Sequence, residues 1–91
     1  MEHRRHYLVS GRVQSVGYRA FVVRAALSVG VSGWVRNLDD GRVELEAQGT
    51  PERLAGLEHS LANGPVLAEV LSVEMLEQEP LERATGFLVR P

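Results

Sequence analysis

The residues best placed to do chemistry lie in one stretch, Val9-Ser10-Gly11-Arg12-Val13-Gln14-Ser15-Val16-Gly17-Tyr18-Arg19. A β-like run ends at Gln14, small residues make a turn, and an apolar pattern of helical spacing begins near Arg19. A strand that feeds a tight turn into a helix start gathers unpaired backbone N–H groups around one point. The helix dipole adds to their preference for an anion. Arg19 falls in the first turn, where a cation opposes the dipole, yet its planar guanidinium can hold two oxygens of a phosphate. An ordinary strand-to-helix turn with a solvated arginine accounts for the same residues and stands as the alternative.

Other reactive side chains are weaker candidates. His3, His6 and His59 are scattered, and no H-x-E, H-E-x-x-H or acidic-loop spacing occurs, so no metal site is expected. Asp39-Asp40-Gly41 reads as a hairpin turn rather than as a general acid/base pair. Ser10 and Ser15 have no activating partner nearby in sequence, which argues against a serine nucleophile. Asn37 stands at a strand end just before the hairpin, where its simplest role is to cap the turn backbone.

The bulk properties narrow the classes of function. Ninety-one residues, 44% of them hydrophobic, make one domain over 1–91 with a single modest core. No run of about 18 apolar residues is present to span a membrane. Met1 to His6 carries charge without an apolar segment, unlike a signal peptide. The absence of cysteine excludes disulfides and thiolate chemistry and agrees with a reducing cytoplasm. A net charge of −2 argues against a broad nucleic-acid-binding field, so any anion site must be local. All ten basic residues are Arg, which excludes Schiff-base or P-loop lysine chemistry.

The elements that must position these residues follow from periodicity. His6 to Val13 is strand-like, with Tyr7, Val9 and Val13 on one parity. Arg19 to Ser28 carries Ala20, Phe21, Val23, Ala26 and Leu27 at helical spacing, with Gly30 as the stop. Val31 to Leu38 and Arg42 to Gln48 form a second and a third strand. Val43, Leu45 and Ala47 face a core and Arg42, Glu44, Glu46 and Gln48 face water. Thr50-Pro51-Glu52 supplies a cap, a first-position proline and a first-turn acid; Leu54, Leu57 and Leu61 form the buried stripe, and Asn63-Gly64-Pro65 ends the helix. Val66 to Glu77 is a fourth strand whose parity shifts near Leu71-Ser72, predicting a bulge. Glu77 to Arg83 is a polar loop, and Phe87-Leu88-Val89 closes the chain as a short strand. This order, βαββαβ plus a terminal strand, predicts an α+β ferredoxin-like sandwich: an antiparallel sheet with both helices on one face. RNA-recognition modules share that topology but need stacking aromatics on the open face; two carboxylates of the third strand stand there, so RNA binding is disfavoured.

A second stretch pairs with the first: Gly33-Trp34-Val35-Arg36-Asn37-Leu38-Asp39-Asp40-Gly41-Arg42-Val43. Together they resemble the acylphosphatase family. The first motif, G-x-V-Q-G-V-x-F-R, is matched by Gly11, Val13, Gln14, Val16 and Arg19. The second, G-[aromatic]-V-x-N-x-x-x-G-x-V-x-x-x-x-x-G, is matched by Gly33, Trp34, Val35, Asn37, Gly41, Val43 and Gly49. Two long motifs at matching separation, covering essentially the whole chain, are a specific signal. The resemblance implies that Arg19 binds phosphate, that Asn37 orients the attacking water, and that Gln14, Ser15, Val16, Gly17, Tyr18 and Arg19 form the phosphate cradle. Tyr18 replaces the usual Phe. Ser15 replaces a glycine, which either strains the loop by roughly 1 kcal/mol or more if φ is positive there, or adds a hydroxyl donor to the phosphate.

The resemblance implies hydrolysis of a carboxyl–phosphate anhydride without metal or other cofactor, by direct in-line attack of water. The expected partner is a small acyl phosphate, with no nucleic acid and no membrane, and the expected state is a cytoplasmic monomer. The competitor is a catalytically weak phosphate or carbamoyl-phosphate binding module, since similar domains occur within larger maturation proteins. A chain that starts at Met and ends just after its closing strand points to the free-standing enzyme.

Overall fold

The computed structural model describes all residues from Met1 to Pro91. Its elements are β1 (His3–Arg12), α1 (Tyr18–Val29), β2 (Ser32–Asn37), β3 (Val43–Gly49), α2 (Pro51–Asn63), β4 (Glu69–Gln78) and β5 (Phe87–Val89). Every expected element is present, with boundaries that differ at β1 and β4. β1 begins at His3 because Arg4 and Arg5 lie in register with Gln48 and Ala47 of β3 and with Gln78 and Glu77 of β4. Their side chains end on carboxylates: Arg4 on Glu46 at 3.0 Å, and Arg5 on Glu58 at 2.9 Å and on Glu77. Hydrophobic alternation carries no trace of such a strand end. Val66 to Ala68 form a turn instead of strand, with the Ala68 N–H donating to Pro65 O at 3.0 Å.

The strand order is β4-β1-β3-β2-β5. The first four strands are antiparallel, as expected, but β5 lies parallel to β2, so the sheet is mixed rather than antiparallel throughout. The segment from 79 to 86 carries the chain from one sheet edge to the other and sets this direction. The Leu81 N–H donates to Gln48 Oε1 at 2.8 Å, Ser32 Oγ donates to Ala84 O at 3.0 Å, and the Gly33 N–H donates to Gly86 O at 2.9 Å. Gln48, expected on the wet face, is buried beneath this segment. The predicted bulge is real: Ser10 faces Ser72 and Gly11 faces Val70, which leaves Leu71 as the extra residue.

The core lies between the helices and one face of the sheet. Val43, Leu45 and Ala47 point into it as expected, with Tyr7 and Val9 of β1, Val22 and Ala26 of α1, and Leu54, Leu57 and Leu61 of α2. Each fully buried leucine contributes roughly 2 kcal/mol. On the opposite face the carboxylates of β3 are paired rather than bare. Glu46 meets Arg4, and Glu44 meets His6 at 2.7 Å as well as Arg36. Burial pushes the Glu44 carboxyl up, but hydrogen bonds from His6 and Arg36 outweigh it and hold it below the ordinary range. Trp34 is on this face too, with the guanidinium carbons of Arg90 at 4.6 Å and Arg36 at 5.6 Å from its ring centroid.

Candidate active site

The two helix starts differ in how their backbone donors are satisfied. At α2 the Thr50 side chain accepts from the Arg53 N–H at 3.3 Å, Pro51 occupies the first turn, and Glu52 complements the dipole. At α1 the cap position is Gly17, which has no side chain to offer, and no acid stands in the first turn. The Phe21 N–H donates to Gly17 O at 3.1 Å, so the N–H groups of Tyr18, Arg19 and Ala20 have no acceptor within the helix. One helix start is completed by its own sequence, and the other is left open.

The loop feeding α1 is bent by two left-handed residues, Ser15 at φ +62° and Gly17 at φ +81°. Ser15 is the one non-glycine residue in that region, so the position does demand positive φ and serine occupies it at a cost. Beside the loop lies a depression of about 310 Å³ lined by Val13, Ser15, Gly17, Tyr18, Arg19, Ala20, Asn37 and Val89. Arg19 is exposed and belongs to none of the ion pairs in the chain.

Asn37, at the end of β2, completes the polar lining. Its Oδ1 is buried and has no hydrogen-bond partner. An unmet buried acceptor costs about 1–3 kcal/mol, which an O–H donor would recover. Asn37 is therefore not spent on the turn that follows it. The hairpin closes without it: the Leu38 N–H donates to Arg42 O at 2.8 Å, the Gly41 N–H to Leu38 O at 3.2 Å, and the Arg42 N–H to Asp40 Oδ1 at 3.1 Å. Asp40 thus serves the turn as expected, and its ion pair with Arg42 holds its carboxyl below the usual range.

Of the expected cradle residues, Ser15, Gly17, Tyr18 and Arg19 line the depression, and Asn37, expected to orient the water, lines it with them. The side chains of Gln14 and Val16 do not. The Gln14 amide donates to Leu38 O at 2.7 Å and to Arg42 O at 3.0 Å, tying the loop to the hairpin, while Val16 packs against the core. Tyr18 is buried and its hydroxyl donates to Leu61 O at 2.8 Å; burial pushes its phenol pKa up, so it stays a neutral donor anchoring α1 to α2. Val13, Ala20 and Val89 complete the lining and were not expected. Val89 reaches the site only because β5 docks beside β2, which no local pattern indicates.

A second hollow of about 340 Å³ opens on the other sheet face around Trp34, Arg4, Glu46 and Gln48. There Arg4 pairs with Glu46, Gln48 bonds to Leu81, Ser32 bonds to Ala84, and the Arg90 guanidinium lies over the Trp34 ring. Asn37 Oδ1, by contrast, is unpartnered in the depression beside α1; the other buried acceptor without a partner, Gln78 Oε1 at the end of β4, lines neither hollow.

A ferredoxin-like sandwich with an open helix start, a free guanidinium and an unpartnered amide around one depression defines a small phosphate-handling α+β protein. The chain belongs to the acylphosphatase family, whose model matches residues 5–89. An acylphosphatase of Pseudomonas aeruginosa is 49% identical over 85 residues, covering 93% of this chain and 92% of that one. The crystal structure of acylphosphatase from Bacillus subtilis superposes with a TM-score of 0.94 at 35% identity, covering both chains completely. The same fold accounts for 12% of the T. kodakarensis HypF chain, with a TM-score of 0.86 and 31% identity over 98% of this chain.

Proposed function

We propose that this acylphosphatase cleaves R-CO-OPO₃²⁻ to a carboxylate and phosphate by direct in-line attack of water, with Arg19 and Asn37 as its working side chains. The observation that carries the assignment is the buried, unpartnered Asn37 Oδ1 in the same depression as Arg19 and the open start of α1. Backbone N–H groups from Ser15 to Arg19 and the Arg19 guanidinium hold the phosphoryl oxygens and stabilise their charge. Asn37 Oδ1 accepts a hydrogen bond from a water and aims its oxygen at phosphorus.

Asparagine is no base at neutral pH, so the water's proton does not go to it. A loose transition state asks little of the nucleophile, and a phosphoryl oxygen takes the proton late. The leaving carboxylate, whose acid has a pKa of roughly 4, departs without protonation. Phosphate monoesters, whose alkoxide leaving groups need an acid, are poor substrates for such a site.

The test is release of phosphate from benzoyl or acetyl phosphate with EDTA present. Turnover under those conditions supports the enzyme. Binding of phosphate without turnover supports a binding module instead, a reading favoured by the occurrence of this fold as a small part of a HypF chain.

A further inference from the structure

The depression is not polar throughout. Beside Ser15, Arg19 and Asn37 it has an apolar part from Val13, Ala20 and Val89. Val13 is almost fully buried, whereas Ala20 is exposed and Val89 is 52% exposed, so the last two offer the apolar surface a ligand meets. Along β5, Phe87 is buried in the core and Leu88 lies in register with Trp34 of the opposite sheet face. Alternation therefore turns Val89 toward the helix side, into the site.

We propose that Ala20 and Val89 seat the acyl group and make the site selective for acyl phosphates with an apolar alkyl or aryl acyl group, over those whose acyl group ends in a second carboxylate. The proposal rests on the acyl phosphate reading above. Arg19 is the one cation lining the depression, and the phosphoryl group engages it. The side chains of Ala20 and Val89 offer a second carboxylate no hydrogen bond in place of the hydration it loses, while an apolar acyl group gains by covering the valine. The argument concerns the substrate's far end, so it leaves the chemistry at phosphorus unchanged.

Comparing kcat/KM for benzoyl and succinyl phosphate in the whole protein tests this. The wild-type ratio is expected to favour benzoyl phosphate by on the order of tenfold or more. Val89→Arg, which brings a cation to the acyl end, is expected to lower that ratio by about tenfold. Leu88→Ser alters the same strand on its other face and is expected to leave the ratio as in wild type. Ala20→Arg repeats the test from α1 in case β5 tolerates no change at Val89. A wild-type ratio near one, or a ratio unmoved by both arginine variants, overturns the acyl seat while the hydrolytic reading stands. No turnover of either substrate by the wild type removes both.

Discussion

The side-chain amide of Gln14 donates to the carbonyl of Leu38 at 2.7 Å, joining the loop before α1 to the residue that follows Asn37. A second bond, to Arg42 O at 3.0 Å, holds the other side of the same hairpin. The two halves of the site lie on separate elements, and this amide is a direct polar link between them. Gln14→Ala is therefore expected to lower kcat for acyl phosphates more than it weakens inhibition by inorganic phosphate, because the loop survives while its alignment with Asn37 loosens. Loss of two part-buried hydrogen bonds is also expected to cost about 1–3 kcal/mol, read from denaturant unfolding. A variant with wild-type kcat and lowered stability would make the link purely structural.

Asn37→Ala removes the unpartnered amide proposed to accept from the water and leaves the loop and Arg19 in place. Its kcat is expected to fall by a factor on the order of 10² or more, with little change in the inhibition constant of phosphate. Stability is expected to hold or rise, since an unmet buried acceptor disappears with the side chain. Survival of kcat would end the water-positioning role.

Arg19→Lys keeps the charge and discards the planar fork. Arg19 has no ion pair to lose, so the substitution perturbs the fold little. Two-point contact with phosphoryl oxygens is what lysine cannot reproduce. The expected outcome is a loss of kcat/KM on the order of 10² with unchanged thermal stability. Full activity in the lysine variant would sink the bidentate arrangement.

Periodicity made the sandwich legible because most of its elements bury one clean face: Val43, Leu45 and Ala47 in β3, and Leu54, Leu57 and Leu61 in α2, are where alternation and helical spacing put them. The loop and the paired motif likewise placed Arg19 and Asn37 as candidates, and the fold brings them to one depression. What stayed hidden depends on segments distant in the chain. The extension of β1 to His3 rests on carboxylates of β3, β4 and α2. Burial of Gln48 rests on the 79–86 crossing, and Val89 reaches the site through a parallel pairing. The resemblance counts Gln14 in the cradle but does not reveal that its side-chain amide is bonded to the hairpin, a contact that depends on residues more than twenty positions away.

Ser15 is where local backbone energetics and the site meet. At φ +62° an L-residue carries about 1–2 kcal/mol that glycine does not. Glycine loses part of that advantage through its freer unfolded chain, about 0.4–1 kcal/mol. Ser15→Gly is therefore expected to gain roughly 0.5–1 kcal/mol, a rise in Tm of a few degrees for a domain of this size. Ser15→Ala keeps the strained conformation and is expected to show no such rise. Activity separates the two roles a serine can have here. If the hydroxyl is merely tolerated, kcat/KM of the glycine variant equals or exceeds that of the wild type, and this is the expected result because the loop's donors are its backbone N–H groups. A fall of about tenfold in both variants, with Tm raised only in the glycine variant, would instead make the hydroxyl a donor to the phosphoryl group.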